Sequence, residues 1–190
     1  MIITISGNPG AGKSTVAKIL ASELNAERIL VGAMRRDLAR SMGMNLEELN
    51  EYGKTHPETD TKVDKEVKEK VKKLVKENKN IVLEGYAQHK FFPEAFKVFM
   101  EANKEICCQR IWHDLQNGEA KTYRNEGKYE NIEEFKKRYK IRLNEDAERF
   151  MKFYGFDHRD KSQYDLVLDV THISAKEATK KIISSIKKPF

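Results

Sequence analysis

Eight consecutive residues near the start of the chain, Gly7-Asn8-Pro9-Gly10-Ala11-Gly12-Lys13-Ser14, match the pattern GxxxxGK[ST]. Glycines at these positions let successive backbone N–H groups come close to phosphate oxygens without a Cβ in the way. Lys13 is spaced to reach the β and γ phosphates of a nucleoside triphosphate, and Ser14 offers a hydroxyl to Mg²⁺. Thr15 adds a second hydroxyl, placed to cap the turn or touch a more distal phosphate. The plainer reading is a chance glycine turn. The flanking residues argue against it, because Ile2–Ile5 is a short apolar strand and Val16, Ala17, Leu20 and Leu24 mark one face of a following helix. The loop therefore lies where a helix N-terminus adds positive potential toward phosphate.

A loop of this kind grips a donor without naming the acceptor, so the rest of the chain must supply that information. Glu84 closes the apolar run Ile81–Leu83, which would put a carboxylate at the C-terminal edge of a parallel strand beside a Ser14-bound magnesium. A surface glutamate is the alternative. Arg138, Arg142, Asp146 and Arg149 recur at about 100° per residue along one stripe of a long helix, beside an apolar face of Ile132, Phe135, Tyr139, Leu143, Ala147, Phe150 and Tyr154. They are expected to point into one cleft, with Arg110 on the preceding helix also a candidate to face phosphates. The alternative is an exposed helix laced with i,i+4 ion pairs such as Arg142 with Asp146.

The elements that must hold these residues read as α/β. A chain of 190 residues fits a single domain, 1–190, with a sizeable core. Strand character returns at 81–84, at about 96–100 and at 164–169, giving a parallel sheet flanked by helices. From Gly32 to about Asn78 two or three helices and no strand are expected, broken at His56-Pro57; such a block, about 32–78, can stand off the sheet as a subdomain. Residues 116–131 show little apolar periodicity and read as a surface loop, a candidate lid by its length alone. A helix over about 104–115 precedes it, and Ala178, Ile182 and Ile186 mark a closing helix.

Composition narrows the class. Charged residues are 35% of the chain and apolar ones 39%, which suits a compact cytoplasmic protein. Met1–Ile5 runs into the glycine loop without a basic leader or a long apolar stretch, so no signal peptide and no membrane span is expected. Cys107 and Cys108 are adjacent, which disfavours their bonding to each other, and they read as small buried apolar residues. The net charge of +6 favours anionic partners, yet the lysines of 62–79 flank Val63, Val67, Val71, Leu74 and Val75 at helical spacing and read as a solvated face. With no aromatic-basic interleaving, a nucleic-acid surface is not expected. A salt-dependent RNA pull-down distinguishes that class from a kinase of small molecules.

With these motifs in hand the chain resembles the nucleoside monophosphate kinases, and among them the short archaeal type of cytidylate kinase. The resemblance spans nearly the whole chain, through the phosphate loop, GAMRRDLARSMGMNLEELNEY, HPETDTKVDKEV, IVLEG, RLNEDAERFMKFYGFD and YDLVLDVT. It implies a P-loop fold with a helical acceptor-binding insertion and a lid, and transfer of the ATP γ phosphate to CMP or dCMP with Mg²⁺ as the metal. A monomer acting on small molecules is expected. Gly32 and Arg36 match the family's GxxxR, so Arg36 would hold the acceptor phosphate; Arg142 and Arg149 would meet phosphates and Asp146 the acceptor's sugar. Three positions depart from the pattern: Leu30-Val31 replaces a small hydroxyl residue, Arg35 an aromatic one, and Gly85-Tyr86 a glycine-arginine pair. His89, Lys90 and Arg35 are candidates to supply the missing charge. These departures favour the alternative of a P-loop kinase for another nucleotide or a small metabolite.

Overall fold

The computed structural model describes residues 1–186. Strand β1 (Ile2–Gly7) leads into helix α1 (Lys13–Glu23), strand β2 (Ala26–Leu30) and then three helices, α2 (Val31–Ser41), α3 (Leu46–Tyr52) and α4 (Glu58–Lys76). Strand β3 (Asn80–Glu84), the single-turn α5 (Gln88–Phe91), β4 (Phe96–Glu101) and α6 (Lys104–Leu115) follow. The chain continues through α7 (Gly118–Arg124), the long α8 (Ile132–Tyr154), a 3-10 turn (Lys161–Gln163), β5 (Leu166–Asp169) and α9 (Ala175–Ile186). The five strands form one parallel sheet in the order β2-β3-β1-β4-β5. Because β1 and β3 are neighbours in register, with Ile5 opposite Glu84, the loops after both strands open at the same edge. That edge is where open parallel sheets bind ligands.

Each face of the sheet has its own core. On one, Ile3, Ile5, Val82, Val98 and Met100 pack against Val16, Ala17 and Leu20 of α1, Cys107, Cys108 and Ile111 of α6, and Ile182 of α9. On the other, Ile29, Ile81 and Leu83 meet Val63, Val67 and Val71, a stripe at i,i+4 spacing on α4. Each of those valines is at most 4% exposed, which stabilises the docked helix by about 1.5–3 kcal/mol per side chain. Both cysteines are buried and free, in keeping with an apolar role.

Three sequence expectations are corrected. β2 was not anticipated: its alternation carries Glu27 and Arg28, and as an edge strand paired only with β3 it shows no apolar run. The stretch 116–131 is not a bare loop, since α7 occupies Gly118–Arg124. That helix buries none of its residues, so it has no apolar stripe to betray it. Finally Val75 does not belong to the buried face of α4; it is 49% exposed, because successive i,i+4 steps drift around the helix and Leu74 takes the core-facing place at this turn.

Caps fix the ends of the helices that matter most for the cleft. Asn45 and Glu48 form a reciprocal capping box on α3, and the Asn131 side chain accepts from Glu134 N to open α8. Among the described residues no helix is long and apolar enough to cross a membrane.

Candidate active site

A cavity of about 480 Å³ opens at the C-terminal edge of the sheet between the glycine loop, α2, α4, α7 and α8. Its floor is the glycine loop. Pro9, Gly10, Gly12, Lys13, Ser14 and Thr15 line it, whereas Gly7, Asn8 and Ala11 lie behind them. The glycines do not all serve ligand approach. A Cβ on Gly7 or Gly10 would lie 1.9 Å from the Met100 carbonyl oxygen or 2.4 Å from that of Cys107, so these two are required by the protein's own backbone. Gly12, with φ +84 at the N-terminus of α1, faces open space and is the one that leaves room for an incoming oxygen.

Lys13 is not on an exposed arm. Its Nζ donates to the carbonyls of Gly7 and Asn8, each at 2.9 Å, and stands 5.8 Å from the centre of the Tyr86 ring. Burial pushes its ammonium down from 10.5 to about 8, against the raising influence of Glu84. Because the folded value is lowered, the unfolded chain holds this proton more tightly, and the contribution of Lys13 to stability rises as pH climbs from about 8 to 10.5. Activity should move the other way. We expect kcat/KM for ATP to fall above pH 8, approaching a tenfold loss per pH unit as the ammonium deprotonates. A profile flat through about pH 9.5 would show that the charge of Lys13 is not needed.

Ser14 Oγ donates to Glu84 Oε1 at 2.9 Å, and Glu84 Oε2 is buried without a protein partner. A hydroxyl beside a half-satisfied carboxylate, at the strand edge below Lys13, suits a hydrated magnesium ion held mainly by phosphate oxygens and water. Among the described residues there is no cluster of three or more acidic, histidine or cysteine ligands, so a metal here would depend on a bound phosphate for most of its coordination.

The opposite wall is built from α8 and the helical block. Arg142, Asp146 and Arg149 line the cavity together with Arg35 and Arg36. Arg142 donates to Glu126 at 2.7 Å and has Nε 3.7 Å from Asp146. Arg149 reaches both carboxylate oxygens of Asp60 at 2.6 Å and Asp146 at 3.1 Å. Burial alone would raise the Asp146 carboxyl, but Arg149 and Arg142 more than offset it and hold it below its ordinary value. Asp146 is therefore a buried anion fixed by two cations. Arg36 donates through Nε to the Arg124 carbonyl at 3.1 Å, with its guanidinium 4.9 Å from the centre of the Tyr123 ring.

Two arginines stand apart. Arg110 lines the rim and donates weakly, at 3.4 Å, to the Thr171 carbonyl, leaving most of its guanidinium free toward the cavity. Arg138 does not line the cavity. It is bound by Glu47 at 2.7 Å and Glu145 at 2.8 Å, so it ties α8 to α3 instead of facing the glycine loop.

The departures at Arg35 and Tyr86 also find their places. Arg35 donates to Asp60 at 2.5 Å and Asn50 at 2.9 Å, joining the Asp60–Arg149 network. His89 is buried and bonded to Gln163, and Lys90 lies over the Phe156 ring, so neither lines the cavity. The Tyr86 ring stacks on His158 at 4.4 Å and meets Phe150 edge-on at 5.7 Å, forming an apolar wall. Burial lowers the His158 imidazole to about 4, which keeps it neutral under that ring. Asp60, Asp64 and Glu126 also line the site and were not singled out from sequence, and Tyr154, read only as part of an apolar stripe, lines it too. The quoted segment HPETDTKVDKEV contains the first two, but nothing in the spacing distinguishes them from solvated helix charges.

Known proteins resemble this chain over most of its length. The family described as AAA domain matches residues 3–150. The cytidylate kinase of Sulfurisphaera tokodaii is 33% identical over 184 residues, covering 95% of this chain and 92% of that protein. That of Archaeoglobus fulgidus is 32% identical over 188 residues, covering 98% and 95%. The chain belongs to the cytidylate kinase family. Among solved structures, a shikimate kinase from Bacteroides thetaiotaomicron superposes with a TM-score of 0.59 at 16% identity, covering 99% of each chain. An uncharacterized protein from Eubacterium ventriosum gives 0.63 at 19% identity, covering 100% of this chain and 99% of that one. At such identities these two neighbours show a shared fold.

Proposed function

We propose that the protein transfers the γ-phosphoryl group of ATP to a pyrimidine nucleoside monophosphate, CMP or dCMP, giving ADP and the nucleoside diphosphate. The observation that carries this reading is the single cavity in which Lys13 and Ser14 face Arg36, Arg142, Asp146 and Arg149. The glycine loop and Lys13 hold the β and γ phosphates of ATP. Arg36 and Arg142 receive the acceptor phosphate and align one of its oxygens behind the γ phosphorus. That oxygen forms the new P–O bond while the bond from the γ phosphorus to the β–γ bridging oxygen breaks and ADP takes the electron pair. Asp146, held ionised between Arg142 and Arg149, accepts a hydroxyl of the acceptor's sugar. Arg110 lies at the rim on the donor side. Mg²⁺, held with Ser14 and Glu84, would screen the phosphate charges.

The block 32–78 serves as the acceptor-binding subdomain and 116–131 as the lid, within one domain that works as a monomer in the cytoplasm. Excluding water matters because ATP held against Lys13 would otherwise be hydrolysed. The lid is well placed for this: Tyr123, Arg124 and Glu126 all line the cavity.

The test is steady-state ADP release at saturating ATP with CMP, dCMP, UMP, AMP and GMP. CMP or dCMP is expected to stimulate most. Stimulation by none of them would transfer the role of acceptor to another phosphorylated or hydroxylated metabolite, with the Tyr86 wall as the first place to look.

A further inference from the structure

The segment after α7 places a carboxylate inside the arginine wall. Asn125 turns the chain with φ +49, and it is pinned by two bonds to the connection between α2 and α3. Leu46 N donates to the Asn125 carbonyl at 2.7 Å, and the Asn125 side chain donates to the Met44 carbonyl at 3.1 Å. The next residue, Glu126, is thereby delivered to Arg142. Its side chain is 2% exposed and its Oε1 accepts from Arg142 Nη1 at 2.7 Å. Arg36, on the same wall of the cavity, also feels the Glu126 charge. A carboxylate and a phosphate present similar oxygen forks to a guanidinium, so one arginine cannot give its full set of donors to both.

We propose that Glu126 is a positioning residue that competes with substrate phosphate for Arg142, so that acceptor binding must expel this carboxylate from the cavity. The inference rests on the reading above that Arg142 receives the acceptor phosphate. While Glu126 is in place it holds Arg142 oriented toward the cavity and supplies the counter-charge that a buried guanidinium requires. When a phosphate takes Arg142, Glu126 leaves, and the 124–127 segment moves with it because Arg36 also releases the Arg124 carbonyl it now binds. Acceptor binding and lid position are thus tied through one ion pair. The affinity for acceptor is reduced by the fraction of molecules in which Glu126 occupies Arg142.

Glu126→Gln keeps the shape and removes the charge. With ATP saturating, we expect its KM for the acceptor to fall about tenfold with kcat changed less than about threefold, and ATP hydrolysis without acceptor to rise. Glu126→Asp, one methylene shorter, keeps the charge and should restore the wild-type KM at least in part. In parallel, binding of inorganic phosphate is followed by thermal shift with the glycine loop filled by a non-hydrolysable ATP analogue; the Gln variant should bind it more tightly. An unchanged or raised KM in Glu126→Gln, with unchanged phosphate binding, overturns the proposal. If the wild type turns over no monophosphate, the proposed reaction fails by itself, and tighter phosphate binding by the Gln variant still decides the role of Glu126.

Discussion

Lys13→Ala is expected to lower ATP-dependent turnover by at least about 10²–10³-fold, the loss typical of removing one preorganised donor to a developing oxyanion. The structure explains why no neighbour substitutes. Its ammonium is held by the Gly7 and Asn8 carbonyls at the floor of the cavity, and the other cations near it, Arg36 and Arg142, are tied to the lid segment and α8. The fold should tolerate the change. Lys13 is an ion that burial disfavours, as its lowered pKa of about 8 records, and Asn8 O keeps the hydrogen bond from Ala11 N at 3.1 Å. Melting temperature should shift by a few degrees at most, and circular dichroism should be unchanged. Near-normal turnover in this variant would remove the glycine loop from the chemistry.

Arg142→Ala should cost both activity and stability. The acceptor-dependent rate at saturating ATP is expected to fall at least tenfold, about 1.4 kcal/mol of transition-state stabilisation. Were Arg142 and Asp146 the exposed i,i+4 pair that helical spacing also allows, folding would hardly notice, because such a pair is worth about 0–1 kcal/mol. The structure shows a buried pair instead. Arg142 is 14% exposed and pairs with Glu126 and Asp146, which are 2% and 5% exposed. Deleting one partner of a buried pair costs about 3–5 kcal/mol, nearer the lower figure here because Asp146 keeps Arg149. For a domain of this size that is a fall in melting temperature of roughly 6–12 °C. Two second-site variants separate the roles. Combining Arg142→Ala with Glu126→Gln should recover much of the stability and none of the rate. Arg142→Lys should also recover stability while leaving the rate low, because an ammonium cannot reproduce the planar fork. Recovery of rate along with stability in either variant would mean that Arg142 acts only by holding the fold.

Such differences show where a sequence reading stops. That Arg142, Asp146 and Arg149 share a stripe follows from helical period, and all three do line the cavity. Period says equally that Arg138 belongs with them, yet Glu47 from α3 and Glu145 turn it away. Which carboxylate captures an arginine depends on elements far apart in the chain: Asp60 and Arg149 are 89 residues apart, and Glu47 and Arg138 are 91. The edge strand β2 and the solvated helix α7 escaped for a related reason, since neither buries enough apolar surface to leave a periodic signal.

The sequence by itself determined the phosphate loop, the alternating strand and helix order of the main body, and the apolar stripes of α4 and α8. These are local properties: the loop's chemistry is carried by a few adjacent residues with special backbone freedom, and a stripe is a count along one helix. Only the tertiary structure decided which charges face the cavity, that Gly7 and Gly10 serve backbone packing while Gly12 faces open space, and that Glu126 pairs with Arg142. Those outcomes are set by distance and burial between residues that the sequence keeps apart, and electrostatics in a desolvated cleft depends on both.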